Sequence, residues 1–306
     1  LDMASMLGVV PERFGTFKDS QKIDLDTYFR MARGRAPSGE DTLACEMTKW
    51  FDTNYHYIVP ELTKTQAFRI ASDKVFNEIR EARALGYEPK PVLLGPLTFL
   101  WLSKTKGDDF DKLQLLPSLL KTYQEILARF KELKVEWFQM DEPILVLDLP
   151  KAWQNAFVAA YETLSQNRPK LLMTTYFGSL EDNVSLINQI KADGWHVDRV
   201  RGQDNLQNLL SALPEHTILS LGVINGRNIW KTDIRAELNK LAPIAAQLKE
   251  RLWLGSSCSL LHVPVDLEAE KQLDIEIKDW LSFAKQKAQE IVLLKKAILN
   301  PESVAL

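Results

Sequence analysis

Short apolar runs alternate with amphipathic segments along this sequence, and that order constrains the fold more than any other feature. The runs are rich in β-branched and aromatic residues, which is typical of strands covered on both faces. We expect strands at Trp50–Ile58, Pro91–Leu94, Trp137–Met140, Lys170–Tyr176, His196–Val200, Thr217–Val223 and Leu252–Cys258. Strands that alternate with helices predict a parallel sheet with covering helices.

Helical spacing of apolar residues fills the intervals between these strands. We expect helices within Gln66–Leu85, Ser118–Leu133 and Leu267–Leu299. Two α/β architectures fit this pattern, an open doubly wound sheet and a (β/α)8 barrel. No glycine-rich phosphate loop of the dinucleotide or P-loop type occurs in the sequence. Its absence lowers the odds of a nucleotide-binding sheet, so the pattern favours the barrel.

Composition excludes several function classes. The formal net charge is -3, which does not favour a nucleic-acid or membrane-surface binder, so an anionic substrate would need a local cluster of Lys and Arg. The two cysteines, Cys45 and Cys258, form no disulfide framework and indicate a reducing cytoplasm. No apolar run is long enough to span a bilayer.

Polar residues follow several predicted strands, where parallel α/β folds carry their working groups. They are Asp141 and Glu142, Thr174 to Tyr176, Asn225 to Asn228, and Ser256 to Ser259 with His262. Asp141 and Glu142 are neighbours, so on a strand they point to opposite faces and make a poor acid–base pair. Two interpretations stay open: one carboxylate faces a ligand, or it accepts hydrogen bonds from the backbone or an arginine.

The segment from Glu46 to Tyr57 combines a cation, amides, hydroxyls and aromatic rings. Lys49 offers a flexible charge for carboxylates, and Asn54 offers directional hydrogen bonds. The alternative is an aromatic strand packed on a helix, with Lys49 solvated. The four histidines are scattered singly, with none of the spacings typical of zinc sites.

Seven long motifs, in unbroken order, resemble the amino-terminal domain of cobalamin-independent methionine synthases. They are ARGRAPSGE (Ala32–Glu40), EMTKWFDTNYHYIVP (Glu46–Pro60), KPVLLGPLTFLWL (Lys90–Leu102), WFQMDEPILVL (Trp137–Leu147), LLMTTYF (Leu171–Phe177), GVINGRNIW (Gly222–Trp230) and LWLGSSCSLLHVPVDL (Leu252–Leu267). The resemblance runs from about Leu7 to about Ala297. It implies an enzyme that transfers a methyl group from 5-methyltetrahydrofolate polyglutamate to homocysteine, making methionine.

The family architecture implied by this resemblance is a pair of (β/α)8 barrels, of which the carboxyl-terminal one binds zinc and activates homocysteine. Lys49 matches a family lysine that contacts the folate polyglutamate, and Asn54 matches a second contact. No residue of this chain is expected to be catalytic, and no cofactor is expected in it. The positions that correspond to the four zinc ligands fall near Thr174, Tyr176, Val200 and Cys258. Val200 has no donor atom, so we expect no metal site here.

The resemblance also predicts the domain organisation. The chain begins with Leu, within the helix that would follow the second barrel strand. We therefore expect a single incomplete barrel over residues 1–306 without its first two strands. It would comprise a helix remnant and irregular lead-in at 1–45 and a barrel body at 46–299, with six barrel strands and Trp50–Ile58 as an extra extended piece.

The expected function is that of the folate-polyglutamate-binding half of a cytoplasmic methyltransferase, inactive alone and packed on its carboxyl-terminal catalytic barrel. Two alternatives stay open: a non-catalytic folate-binding module, and a scaffold barrel that packs on a partner domain. A related uroporphyrinogen-type decarboxylase is less favoured, because Arg33, Arg35 and Arg227 are too few to face four substrate carboxylates.

Overall fold

The computed structural model describes residues 1–15, 22–107, 109–202 and 206–300. They fall into two compact units. The first comprises Leu1–Ile144, Leu149–Leu172 and Gln189–Ala192, and the second comprises the described residues of Leu145–Asp148, Met173–Asn188 and Asp193–Leu306. None of the helices in these described ranges is long and apolar enough to cross a membrane.

The described part of the first unit forms six α-helices, six strands and short 3-10 helices. Its helices are α1 (Asp2–Met6), α2 (Leu25–Arg33), α3 (Lys74–Ala84), α4 (Pro96–Leu102), α5 (Leu116–Glu132) and α6 (Lys151–Leu164). Its strands are β1 (Met47–Lys49), β2 (His56–Ile58), β3 (Glu61–Leu62), β4 (Val92–Leu94), β5 (Lys104–Thr105) and β6 (Trp137–Asp141). Strand β7 (Lys170–Thr174) begins in this unit and ends in the second.

Parallel pairing of β4 and β6 organises the core of the first unit. Leu93 lies opposite Met140, and both side chains are buried. Helices α3 and α5 bring aromatic rings together. The centre of the Phe130 ring lies 5.7 Å from the centre of the Phe76 ring and 6.2 Å from that of the Phe138 ring on β6. Such ring pairs add to the stabilisation that burial of their apolar surface already provides.

The described residues of the second unit form three further parallel strands, four α-helices and short 3-10 helices. The strands are β8 (Gly194–Asp198), β9 (Ile218–Ile224) and β10 (Leu252–Ser256), and the helices are α7 (Leu206–Ala212), α8 (Ile234–Leu248), α9 (Ile275–Trp280) and α10 (Ala284–Leu299). Strand β9 pairs in parallel with both β8 and β10. Helix α8 begins where Asp233 accepts a 2.9 Å hydrogen bond from the amide of Ala236, which satisfies one of the unpaired amides of its first turn.

The predicted α/β fold with parallel strands is confirmed, and six of the seven predicted strands occur within one or two residues of the expected bounds. The prediction of one strand over Trp50–Ile58 is wrong. Strands β1 and β2 instead form an antiparallel hairpin, whose turn is closed by a 2.7 Å hydrogen bond from the amide of Trp50 to the carbonyl of Tyr55. Within either unit, the strand pairs of the described residues do not close a barrel.

Two predicted helices are shorter than expected, because tertiary hydrogen bonds compete with the helix. The amides of Arg69 and Ala71 donate to the carbonyls of Leu7 and Met6, so α3 does not begin at Gln66 but at Lys74. The predicted helix Leu267–Leu299 is interrupted between α9 and α10, since Ser282 donates to the carbonyl of Ile229 at 2.7 Å. Sequence periodicity reports neither kind of pairing, because both join residues far apart in the chain.

Candidate functional site

The β1–β2 hairpin presents Lys49, the cation predicted to contact a ligand. Lys49 ends β1 and lies opposite His56 of β2. Its side chain is exposed, and it forms no hydrogen bond or ion pair with the residues that the structure describes. Among the described residues, therefore, no acidic group competes with an external anion for the Lys49 side chain.

The hairpin turn that follows Lys49 has a fixed conformation. The Thr53 hydroxyl donates to the carbonyl of Trp50 at 2.7 Å and accepts from the amide of Tyr55 at 3.1 Å. The Trp50 ring lies 5.5 Å from the Tyr57 ring, and the Tyr57 hydroxyl donates to the carbonyl of Leu102 at 3.2 Å. Asn54, the second predicted contact, is exposed at the tip of this turn. The hairpin thus carries the Lys49 cation and the Asn54 side-chain amide, five residues apart in the sequence, on a turn that hydrogen bonds and ring packing hold in one conformation.

The predicted carboxylates Asp141 and Glu142 differ sharply in environment. Asp141 ends β6 and its Oδ1 accepts a 2.8 Å hydrogen bond from the side-chain Nε2 of Gln139. Glu142 is fully buried and accepts hydrogen bonds from the Thr98 amide at 2.8 Å, the Thr98 hydroxyl at 2.6 Å and the Leu97 amide at 3.2 Å. The hydroxyl of Tyr161 donates to it at 2.7 Å. Glu142 therefore fastens the first turn of α4 to the end of β6 and is a structural group.

Burial raises the pKa of Glu142 to about 7, although the hydrogen bonds from Thr98 and Tyr161 act in the opposite direction. Burial disfavours the charged form of a carboxyl group, whereas donors to the carboxylate favour it. Burial is the larger effect here, so a substantial fraction of Glu142 is protonated near neutral pH. This links the stability of the first unit to pH.

In the second unit, a buried carboxylate joins the loops after β7 and β8. Asp198 ends β8 and is fully buried. Its Oδ2 accepts from the amide of Phe177 at 3.0 Å, and its Oδ1 accepts from the amides of Val200 and Arg201, each at 2.8 Å. Three backbone donors satisfy this buried charge. Asp198 was not among the predicted polar residues at strand ends, because the sequence predicted a strand that continues to Val200.

An aromatic–cation group lies at the carboxyl ends of the same strands. The Arg227 guanidinium lies 5.2 Å from the centre of the Phe177 ring, and the His262 ring lies 5.8 Å from it. Phe177 has φ +76, a conformation rare for a residue with a side chain and one often found at functional sites. Arg227 and His262 were predicted as strand-end residues, whereas Phe177 gave no sequence signal beyond its place after β7.

The residues at the four positions that the resemblance predicts to correspond to zinc ligands do not fit a zinc ion. Thr174 and Tyr176 are buried neutral side chains, and Val200 supplies no donor. Burial raises the pKa of the Cys258 thiol to about 11, whereas zinc binds the thiolate. Within the described ranges, no group of three or more His, Cys, Asp or Glu side chains could hold a metal ion.

Comparisons with known proteins identify relatives of this chain. Residues 1–249 match the family described as cobalamin-independent synthase, N-terminal domain. Two relatives from Coxiella burnetii, strains Dugway 5J108-111 and RSA 493 / Nine Mile phase I, are each 52% identical over 298 residues. Both are named 5-methyltetrahydropteroyltriglutamate–homocysteine methyltransferase. Each match covers 97% of this chain but 38% of the relative, so the chain spans less than half of their length.

Two solved structures share the fold at low sequence identity. A B12-independent methionine synthase from Shewanella sp. W3-18-1 matches with a TM-score of 0.62 at 14% identity, covering 85% of this chain and 76% of that one. A Listeria monocytogenes protein described as a vitamin-B12-independent methionine synthase matches with a TM-score of 0.55 at 13% identity, covering 80% and 74%. These likenesses concern the fold alone, whereas the family model and the 52% identical relatives define the family. The chain therefore belongs to the cobalamin-independent methionine synthases and corresponds to their amino-terminal domain.

Proposed function

We propose that this chain is the amino-terminal, folate-polyglutamate-binding half of an enzyme that transfers a methyl group from 5-methyltetrahydrofolate to homocysteine. The names of the 52% identical relatives support this reaction. The chain covers 38% of those relatives, which is consistent with a second, catalytic barrel as its partner in the same protein. The alternative of a purely structural or binding barrel is not favoured, since the similar relatives are named as methyltransferases.

Lys49 carries the proposal for this chain's own role. An exposed ammonium at the end of a short, braced hairpin is suited to neutralise the carboxylates of a glutamate tail. Asn54 supplies a side-chain amide for a second, directional contact. Both residues are remote from the transferred methyl group in this proposal, so they contribute to binding and positioning of the substrate and make no covalent step.

We place the zinc and the catalytic residues in the carboxyl-terminal barrel, because Thr174, Tyr176, Val200 and Cys258 do not make a zinc ligand set. We further propose that the parallel strands belong to a single (β/α)8 barrel domain over residues 1–306, and that the protein is cytoplasmic. The chain alone is expected to make no methionine from homocysteine and 5-methyltetrahydropteroyltriglutamate. Methionine formation by the purified chain would contradict that expectation.

Replacing Lys49 with alanine is expected to weaken binding of 5-methyltetrahydropteroyltriglutamate to this chain about fivefold, the upper range for a solvent-exposed ion pair. Isothermal titration calorimetry measures the change directly. Lys64→Ala is the matched control, because Lys64 is also an exposed lysine of the first unit and lies outside the hairpin. Equal affinities of wild type and Lys49→Ala would show that Lys49 does not contact the tail.

A further inference from the structure

His56 lies directly opposite Lys49 on the β1–β2 hairpin. The next pair towards the turn, Trp50 and Tyr55, is joined by a backbone hydrogen bond. Hydrogen-bonded and non-hydrogen-bonded pairs alternate along an antiparallel ladder, so Lys49 and His56 form a non-hydrogen-bonded pair. The side chains of such pairs are the closer kind, with Cβ atoms about 4.5–5.5 Å apart. Both side chains can therefore contact the same small group.

The exposed face of the hairpin carries this pair, and the acidic groups near it are engaged elsewhere. Tyr57 lies on the opposite face, since successive residues of a strand alternate between faces. Glu46 forms an ion pair with Lys104 at 2.5 Å, and its charge, after burial, raises the pKa of Tyr57. Asp52 of the turn has an interaction partner outside the pair. Within the described ranges, no ion pair reaches either side chain of the pair.

The imidazole ring of His56 has one nitrogen bound to the turn. Its Nδ1 lies 3.0 Å from the carbonyl oxygen of Asn54. A carbonyl oxygen only accepts hydrogen bonds, so Nδ1 carries the proton of the neutral ring. The other nitrogen, Nε2, is then an acceptor, and it becomes a donor when the ring is protonated, a change typical of imidazoles between pH 5 and 8. His56 can therefore donate to a carboxylate through Nε2 only in its charged form.

Protonation of His56 places two like charges opposite each other across the strand pair. Like charges at this spacing destabilise a strand pair. An anion between the two groups removes that repulsion and accepts a charge-assisted hydrogen bond from each of them. A carboxylate has two acceptor oxygens, so it can accept from Lys49 and from His56 at the same time. The doubly charged pair is thus favoured when a carboxylate is bound.

We propose that Lys49 and His56 together bind one carboxylate of a γ-linked glutamyl tail, and that His56 contributes only when it is protonated. The identity of the ligand rests on the proposed function of the hairpin. Lys49 supplies a charge that is constant between pH 6 and 8, whereas His56 adds a second charge-assisted hydrogen bond as the pH falls. Binding of the tail therefore becomes tighter on acidification.

Calorimetry of the 306-residue chain with N-acetylated γ-linked triglutamate tests the proposal. The only titratable groups of this probe are carboxylates, which stay ionised from pH 6 to 8. Lowering the pH from 8 to 6 is expected to raise the affinity of the wild type about fivefold, the upper range for an exposed ion pair. In His56→Gln the affinity should change less than about twofold. Titrations at pH 7 in two buffers of different ionisation enthalpy should show proton uptake on binding by the wild type only.

Two further variants serve as controls for this comparison. His216→Gln removes another exposed histidine, in the second unit, and should keep the pH dependence of the wild type. His56→Arg is charged at every pH, so it should bind the probe tightly at pH 8 and show no pH dependence. The titration of Glu142 is common to all of these proteins and cancels in the comparison. Unchanged thermal unfolding of each variant shows that folding is retained.

The outcomes separate this inference from the proposed function. Binding that Lys49→Ala weakens, but whose pH dependence is the same in the wild type and His56→Gln, would overturn the role of His56 and leave the proposed function standing. A pH dependence that is lost in His56→Gln and kept in His216→Gln supports the inference. Failure of the probe to bind at both pH 6 and pH 8 would contradict the inference and the proposed function together.

Discussion

Replacing Gly95 with alanine is expected to lower the free energy of unfolding of the first unit by about 3 kcal/mol, the sum of overpacking and of disturbed buried hydrogen bonds. A Cβ at this position would lie 2.1 Å from both Cδ and Oε1 of Glu142. The carboxylate cannot yield easily, because it is fully buried and held by donors from Leu97, Thr98 and Tyr161. Denaturant unfolding of both proteins measures the difference.

Two further variants identify the contact responsible. Gly86→Ala is the control for adding a methyl group to glycine, since Gly86 has φ +84 but no atom within 4 Å of the added Cβ. Gly86→Ala should lower the free energy of unfolding only by the cost of backbone strain, about 1 kcal/mol. In a Glu142→Ala background the clash is removed, so Gly95→Ala should then cost about 1 kcal/mol or less. An equal cost in both backgrounds would show that Glu142 is not the obstacle.

Raising the pH from 4.5 to 8 is expected to remove about 3 kcal/mol of stability through Glu142 alone. In the folded chain its pKa is about 7, and its ordinary value is 4.5. Because the folded pKa is the higher one, the folded state binds the proton more tightly. The contribution is therefore fully present below pH 4.5 and is lost as the pH rises through about 7.

Other groups titrate over the same interval, so the measured quantity is the difference between wild type and Glu142→Gln. Glutamine keeps the shape of the side chain and one acceptor oxygen, and it does not ionise. The backbone amide that loses its acceptor, Leu97 or Thr98, adds a cost that does not vary with pH. The unfolding free energy of wild type relative to this variant should fall by about 3 kcal/mol between pH 4.5 and 8. A difference that stays constant with pH would mean that Glu142 titrates at its ordinary value.

Much of this fold could be predicted from sequence because strands and helices are local patterns. Apolar runs such as Pro91–Leu94 and Leu252–Cys258 led to β4 and β10. The failures occurred where distant residues decide the outcome. The amides of Arg69 and Ala71 donate hydrogen bonds to the amino-terminal segment. The spacing of apolar residues near Gln66 does not show that these hydrogen bonds compete with a helix.

The candidate site was partly predictable for the same reason. Lys49 was singled out because it lies in a segment that combines polar and aromatic residues. Arg227 was singled out because it follows a predicted strand, where parallel α/β folds carry their working groups. The role of Glu142 could not be read from the sequence, because its donors lie on α4 and α6. Asp198 was overlooked, since its importance comes from accepting three backbone amides in two loops.

The dependence of affinity on tail length tests the proposal that this chain binds the glutamate tail of a folate. The measurement is calorimetry of the chain with 5-methyltetrahydrofolate carrying one or three glutamates. The triglutamate form is expected to bind about tenfold more tightly, and Lys49→Ala is expected to remove a large part of this advantage. Equal affinity for the two forms in the wild-type chain would contradict it.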